Sequence, residues 1–152
     1  MTNVENILLS AYTAVEAIVP TVDPLLPFKR HRLREVPLDK LPIPDRIRAF
    51  VVTLGPVSKD ETYSSRSRRW YKAELRIQVG YVSPLEAARD TDPSAIGYEG
   101  MSDADAPLLV NKLLYSGFAL INDMKAPEYL RSDPSIGTSR LHVLSIEWAE
   151  VV

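Results

Sequence analysis

Residues 69–82 alternate without a break. Tyr71, Ala73, Leu75, Ile77, Val79 and Tyr81 fall on one side of an extended chain, and Trp70, Lys72, Glu74, Arg76 and Gln78 on the other. A sustained period of two predicts a strand with one packed and one polar face. Residues 46–54 repeat the pattern, with Ile47, Ala49, Val51 and Thr53 alternating with Arg48, Phe50, Val52 and Leu54 until Gly55-Pro56 stops the run. A closing strand is predicted over 140–151. A weaker first strand over 29–36 sets Arg30, Arg32 and Arg34 opposite His31 and Leu33.

Two segments carry helical spacing instead. Val4, Leu8, Ala11, Val15 and Ile18 form one stripe, which predicts a helix over 4–19 that Thr2 or Asn3 caps and Pro20 ends. Leu109, Leu113 and Leu120, flanked by Val110, Leu114, Gly117 and Ile121, predict a second helix over 106–123. Pro107 suits its first turn, and Asp103 and Asp105 suit the positive end of its dipole. The acidic stretch 83–105 and residues 125–139 read as loops. The prolines of 20–45 predict extended chain there, with one short strand.

Helix, strands, helix, strand is the pattern of a two-layer α+β domain (order α-β-β-β-α-β). Both helices lie on one face of a mainly antiparallel sheet. A chain of 152 residues, 45% hydrophobic and 25% charged, is sized for one such domain over 1–152.

The net charge of −2 gives no overall pull toward nucleic acid or anionic membrane. With no cysteine, disulfides and thiolate metal sites are excluded. No apolar run reaches the roughly 18 residues of a membrane span, and Met1–Glu5 carries no basic leader. The expectation is a protein made in the cytoplasm that stays there or joins an assembly built there.

Catalytic signatures are missing: no phosphate-binding loop, dinucleotide fingerprint, nucleophile elbow or His-Glu-x-x-His pair. His31 and His142 are the only histidines and do not make a metal site by themselves. No cofactor, metal or catalytic residue is expected.

The charged residues are separated. Lys29, Arg30, Arg32 and Arg34 form one basic group, and Arg66, Arg68 and Arg69 form another beside Trp70 and Tyr71. Asp90, Asp92, Glu99, Asp103 and Asp105 are acidic. Separate patches of opposite sign suit contacts between copies of the chain better than nucleic-acid binding. Residues 56–68 form a polar arm, long for a hairpin connection. Lys59, Tyr63, Arg66, Arg68 and Arg69 there, with Arg30, Arg32, Asp103 and Asp105, are the candidate interface residues.

The opening helix, the strand after a polar arm, the helix Leu108-Leu-Val-Asn-Lys-Leu-Leu114 and the closing Leu141-His-Val-Leu-Ser-Ile-Glu-Trp148 follow one another in a characteristic order. That order resembles the tail terminator and tail-completion proteins of long-tailed bacteriophages, the family that includes the lambda gene U product. The likeness spans most of the chain and is one of pattern, without a diagnostic motif.

It implies a structural virion protein: a homohexameric ring that caps the tail tube, stops its polymerisation and joins the head–neck connector. Such a ring works sterically, needs no cofactor, and passes DNA through its lumen without binding it specifically. Its partners are further copies of itself, the tube protein and the connector. Another neck or head–tail joining protein is the nearest alternative. A single-stranded nucleic-acid-binding module built on Trp70, Tyr71 and the arginines is a second, and an enzyme with a dispersed site a third.

Overall fold

The computed structural model describes residues 3–31, 38, 41–61, 64–66, 68–81, 98–114, 120–124, 128–133 and 137–151. Its helices are α1 (Asn3–Glu16), α2 (Ile43–Arg46) and α3 (Tyr98–Leu114). Its strands are β1 (Lys29–Arg30), β2 (Ala49–Leu54), β3 (Ser58–Asp60), β4 (Arg68–Tyr81), β5 (Leu120–Met124), β6 (Glu128–Asp133) and β7 (Gly137–Val151). The long antiparallel pair β4 and β7 is the spine of one sheet of order β1-β2-β4-β7-β5, with β3 also on β4 and β6 also on β7. Among the described residues only β1 runs parallel to its neighbour.

Register puts like with like on each face. Leu75 lies opposite Leu144, Ala73 opposite Ile146 and Tyr71 opposite Trp148; Phe50 lies opposite Val79 and Val52 opposite Ile77. Because side chains alternate along a strand, these residues share one face, and α1 and α3 cover it. Ile7, Ala11, Ala14, Val15 and Ile18 of α1 and its C-terminal extension meet Met101, Leu109 and Leu113 of α3 there, all of them buried. The expected α+β architecture, two helices on one face of a mostly antiparallel sheet, is the one observed.

The boundaries differ in instructive places. Helix α1 ends at Glu16, short of Val19, and one tightened turn follows in which the Ile18 N–H reaches the Val15 carbonyl. Residues 43–46 are helical rather than extended, and β2 begins only at Ala49. The second helix starts at Tyr98 and stops at Leu114, so Pro107 sits in its interior and not in its first turn. Residues 120–123, expected to end that helix, instead belong to β5, which pairs with β7. A short apolar run fits a buried strand as well as a helix by periodicity alone, and here β7 offered an open edge. Residues 128–133 and 137–139, expected as loop, form β6 and the start of β7. Of the expected strand over 29–36, Lys29–Arg30 form β1 and His31 lies past its end; residues 32–36 lie outside the described residues, as does Val82.

The polar arm is partly sheet. Leu54 lies opposite Leu75 and Ser58 opposite Lys72, so one strand spends one residue more than its partner between those points. This bulge sits at Gly55-Pro56-Val57, where Gly55 N–H still bonds the Glu74 carbonyl and Pro56 has no N–H to offer. Beyond β3, Ser64 and Ser65 stitch the turn: the Trp70 N–H donates to Ser64 Oγ and the Arg68 N–H to Ser65 Oγ.

The outer edge of β2 is blunted by a side chain. The Tyr12 hydroxyl accepts from the Val52 N–H at 3.1 Å and donates to the Val52 carbonyl at 3.3 Å, closing a site where a foreign strand would otherwise pair. On the opposite face, Leu38, Ala49 and Val51 form a small second cluster. Arg46 crosses Gly80 there so closely that a Cβ on Gly80 would stand 2.7 Å from the Arg46 carbonyl oxygen. Gly80→Ala is therefore expected to lower stability by about 1–3 kcal/mol, read by urea unfolding, because backbone rather than a flexible side chain must yield.

Candidate functional site

Most charged groups beneath α3 are spent on one another. Arg48 follows the α2 turn with a left-handed backbone, φ 60°, and its side chain enters the helix–sheet interface with 0% exposure. Its Nε donates to Asp105 Oδ2 at 2.8 Å and its Nη2 to Asp105 Oδ1 at 3.0 Å, a two-pronged pair. Nη1 donates to the carbonyls of Asp23 and Leu26, both at 2.8 Å, and Nη2 to that of Val22. All five guanidinium N–H groups are thus satisfied, and the group also lies 5.7 Å from the centre of the Phe28 ring. The Tyr81 hydroxyl donates to Asp105 Oδ2 at 2.8 Å. Burial, and then the Asp105 charge beside it, push the Tyr81 phenol well above its ordinary range.

Arg140 and His142 lie on the same face of β7. Arg140 donates through Nη1 to Ser102 Oγ at 3.0 Å and to Asp103 on α3. His142 is buried opposite Ile77, and its Nδ1 meets no hydrogen-bond partner among the described residues. Burial, and then the neighbouring Arg140 charge, lower its pKa to about 4. The cluster has the chemistry of an internal brace: Arg48 is consumed by Asp105 and backbone carbonyls, and Arg140 is tied to Ser102 and Asp103 through Nη1, while its buried Nε meets no hydrogen-bond partner among the described residues. Among the described residues no group of three histidine, aspartate or glutamate side chains is placed to hold a metal ion.

The candidate interface residues separate into three places. Arg66, Arg68 and Arg69 are exposed at the Ser64–Ser65 turn and the adjoining end of β4, with no ion-pair partner among the described residues. Lys59, on β3, pairs with Glu61 at 3.5 Å. Arg30 belongs to β1 on the far edge; it pairs with Glu16 and lies 5.2 Å from the centre of the Tyr12 ring. Asp103 is exposed and tied to Arg140. Asp105 is the correction: at 1% exposure it is an internal partner of Arg48, not a surface group. Nor do the two aspartates cap α3, since they lie past its first turn, where the dipole's reach has faded. Tyr63 and Arg32 lie outside the described residues.

Neither a known protein family nor a characterised protein matches this sequence.

Arg48 itself was not singled out in the sequence. The signal was there, an arginine in phase with Phe50, Val52 and Leu54, but nothing local identified its partner. Surface hollows are found among the described residues as well. One, of about 330 Å³, lies on the polar sheet face beside Gly55 and Pro56; its Lys72 stands across the ladder from Glu147, as on a solvated sheet. Another lies between the ends of α1 and α3. No helix among the described residues is long and apolar enough to cross a membrane.

Proposed function

We propose that this chain is a structural protein of a bacteriophage tail, a subunit of the ring that caps the tail tube, halts its growth and meets the head–neck connector. One observation carries the reading. Arg48, Asp105 and Arg140 are committed to internal partners, while Arg66, Arg68 and Arg69 stand exposed at the end of a long ribbon, with no ion-pair partner among the described residues. Such a surface is suited to meeting an acidic face on a neighbouring subunit or tube, and a ring closes through two unlike, complementary patches on each copy. The work is steric, so no bond is made or broken. Another head–tail joining protein would use the same surface in the same way.

The test is charge reversal at the ribbon end. Arg66→Glu, Arg68→Glu and Arg69→Glu together are expected to leave the fold in place, because all three are exposed and the like-charge pair made with Glu150 costs only about 1 kcal/mol or less. Tails assembled with the triple variant are expected to lose length control, seen as overlong tubes in electron micrographs. Tails of normal length would reject the reading. Removing residues 58–66 is the poorer test, since it deletes β3 from the sheet.

The half-buried Trp70 beside these arginines favours a second reading, single-stranded nucleic-acid binding by stacking and phosphate contact. Glu150 opposes Arg69 across the ladder and offsets the basic field. Oligonucleotide binding that falls steeply with salt would bring this second reading forward.

A further inference from the structure

Among the described residues two non-glycines hold a left-handed backbone, Asp23 at φ 48° and Arg48 at φ 60°, and they are joined by the bond from Arg48 Nη1 to the Asp23 carbonyl. Backbone of this kind persists where surroundings over-determine it, commonly at sites that must hold a shape. Here it shapes the strap 21–26, gripped from beneath through the Val22, Asp23 and Leu26 carbonyls. The grip does not bury the strap's tip. Leu25 is 92% exposed, and Val19 just before the strap is 76% exposed. A large apolar side chain on a pinned strap is pre-organised for contact, because little freedom is left to lose.

A receiving surface lies at the same end of the molecule. Ala17, Ile18, Val19, Leu108, Asn111 and Lys112 line a groove of about 330 Å³ between α1 and α3. It adjoins the strap, since Asp105, which holds Arg48, stands one turn before Leu108 on α3. The charges match as well. Asp23 is exposed two residues from Leu25, Lys112 is exposed on the groove wall, and neither has an ion-pair partner among the described residues.

We propose that a second copy of this chain docks on this face about a twofold axis, with Leu25 of each copy seated in the α1–α3 groove of the other and Asp23 facing Lys112. Knob and groove side by side on one subunit make a self-complementary patch, the condition for an isologous dimer. The contact is independent of the tail-ring reading and leaves the basic ribbon end free.

Sedimentation equilibrium of the full chain tests it. The wild-type chain is expected to dimerise. Leu25→Asp, at a solvent-exposed position, should weaken the dimer about thirtyfold or more while leaving the circular dichroism spectrum unchanged. Lys112→Glu should also weaken it, by setting like charges together. Asp23→Asn, which keeps a residue tolerant of left-handed backbone, should recover part of the loss in the Lys112→Glu background. A wild-type chain that stays monomeric at high concentration overturns the proposal. So does an oligomer whose mass is unchanged by Leu25→Asp, and a six-membered one of that kind would leave the tail-ring reading standing.

Discussion

Arg48→Ala is expected to cost about 3–5 kcal/mol in denaturant unfolding, the usual loss when one member of a buried ion pair is removed. That would take a large share of the 5–15 kcal/mol typical of a domain. The reason is the number of groups left behind. The Asp105 carboxylate loses its two-pronged partner, and the carbonyls of Val22, Asp23 and Leu26 lose their donor. Arg48→Lys should recover little, since an ammonium cannot span a carboxylate and three carbonyls as a planar fork does. Asp105→Asn should be milder than Arg48→Ala, because an amide oxygen still accepts one of the guanidinium bonds. The double variant should fall short of the sum of the singles, as groups in one network do. An Arg48→Ala chain within about 1 kcal/mol of the wild type would refute the brace.

Mild acid should weaken the fold through His142. Its pKa stands near 4 in the folded chain and near 6.5 unfolded. The unfolded state therefore takes up the proton first as pH falls, and stability drops from about pH 6.5 until the folded pKa is reached. The loss should amount to about 2 kcal/mol by pH 5 and about 3 kcal/mol by pH 4. Most of that window lies above the range in which ordinary carboxylates titrate. His142→Leu should flatten the curve between pH 6.5 and 5 in thermal melts. An unchanged slope in that variant would place the acid sensitivity elsewhere. The physical picture is direct: a proton on the imidazole sets a second cation beside Arg140 in a buried layer under α3.

Periodicity was the most legible feature of this chain. The face Leu75, Ile77, Val79 and Tyr81 could be read before any fold was known, and those four residues are buried in the core. The stripe of α1 was equally plain. Helix α3 was legible only from Ala106 to Leu114, because Asp105 interrupts the spacing Met101, Leu109, Leu113, and Pro107 mimics a helix start. The ribbon-end arginines were legible as exposed charge, while the serine-stitched turn that positions them depends on β3 finding its register on β4.

What the residues alone determined is which side chains turn inward on β4 and α1, since that follows from the repeat of an extended or helical backbone and needs no distant partner. What tertiary structure decided is the pairing. Arg48 and Asp105 stand 57 positions apart, and each looks misplaced on its own element. Only the stacking of α3 over the sheet turns two unfavourable buried charges into one brace. The same stacking sets the groove beside the strap that carries Leu25.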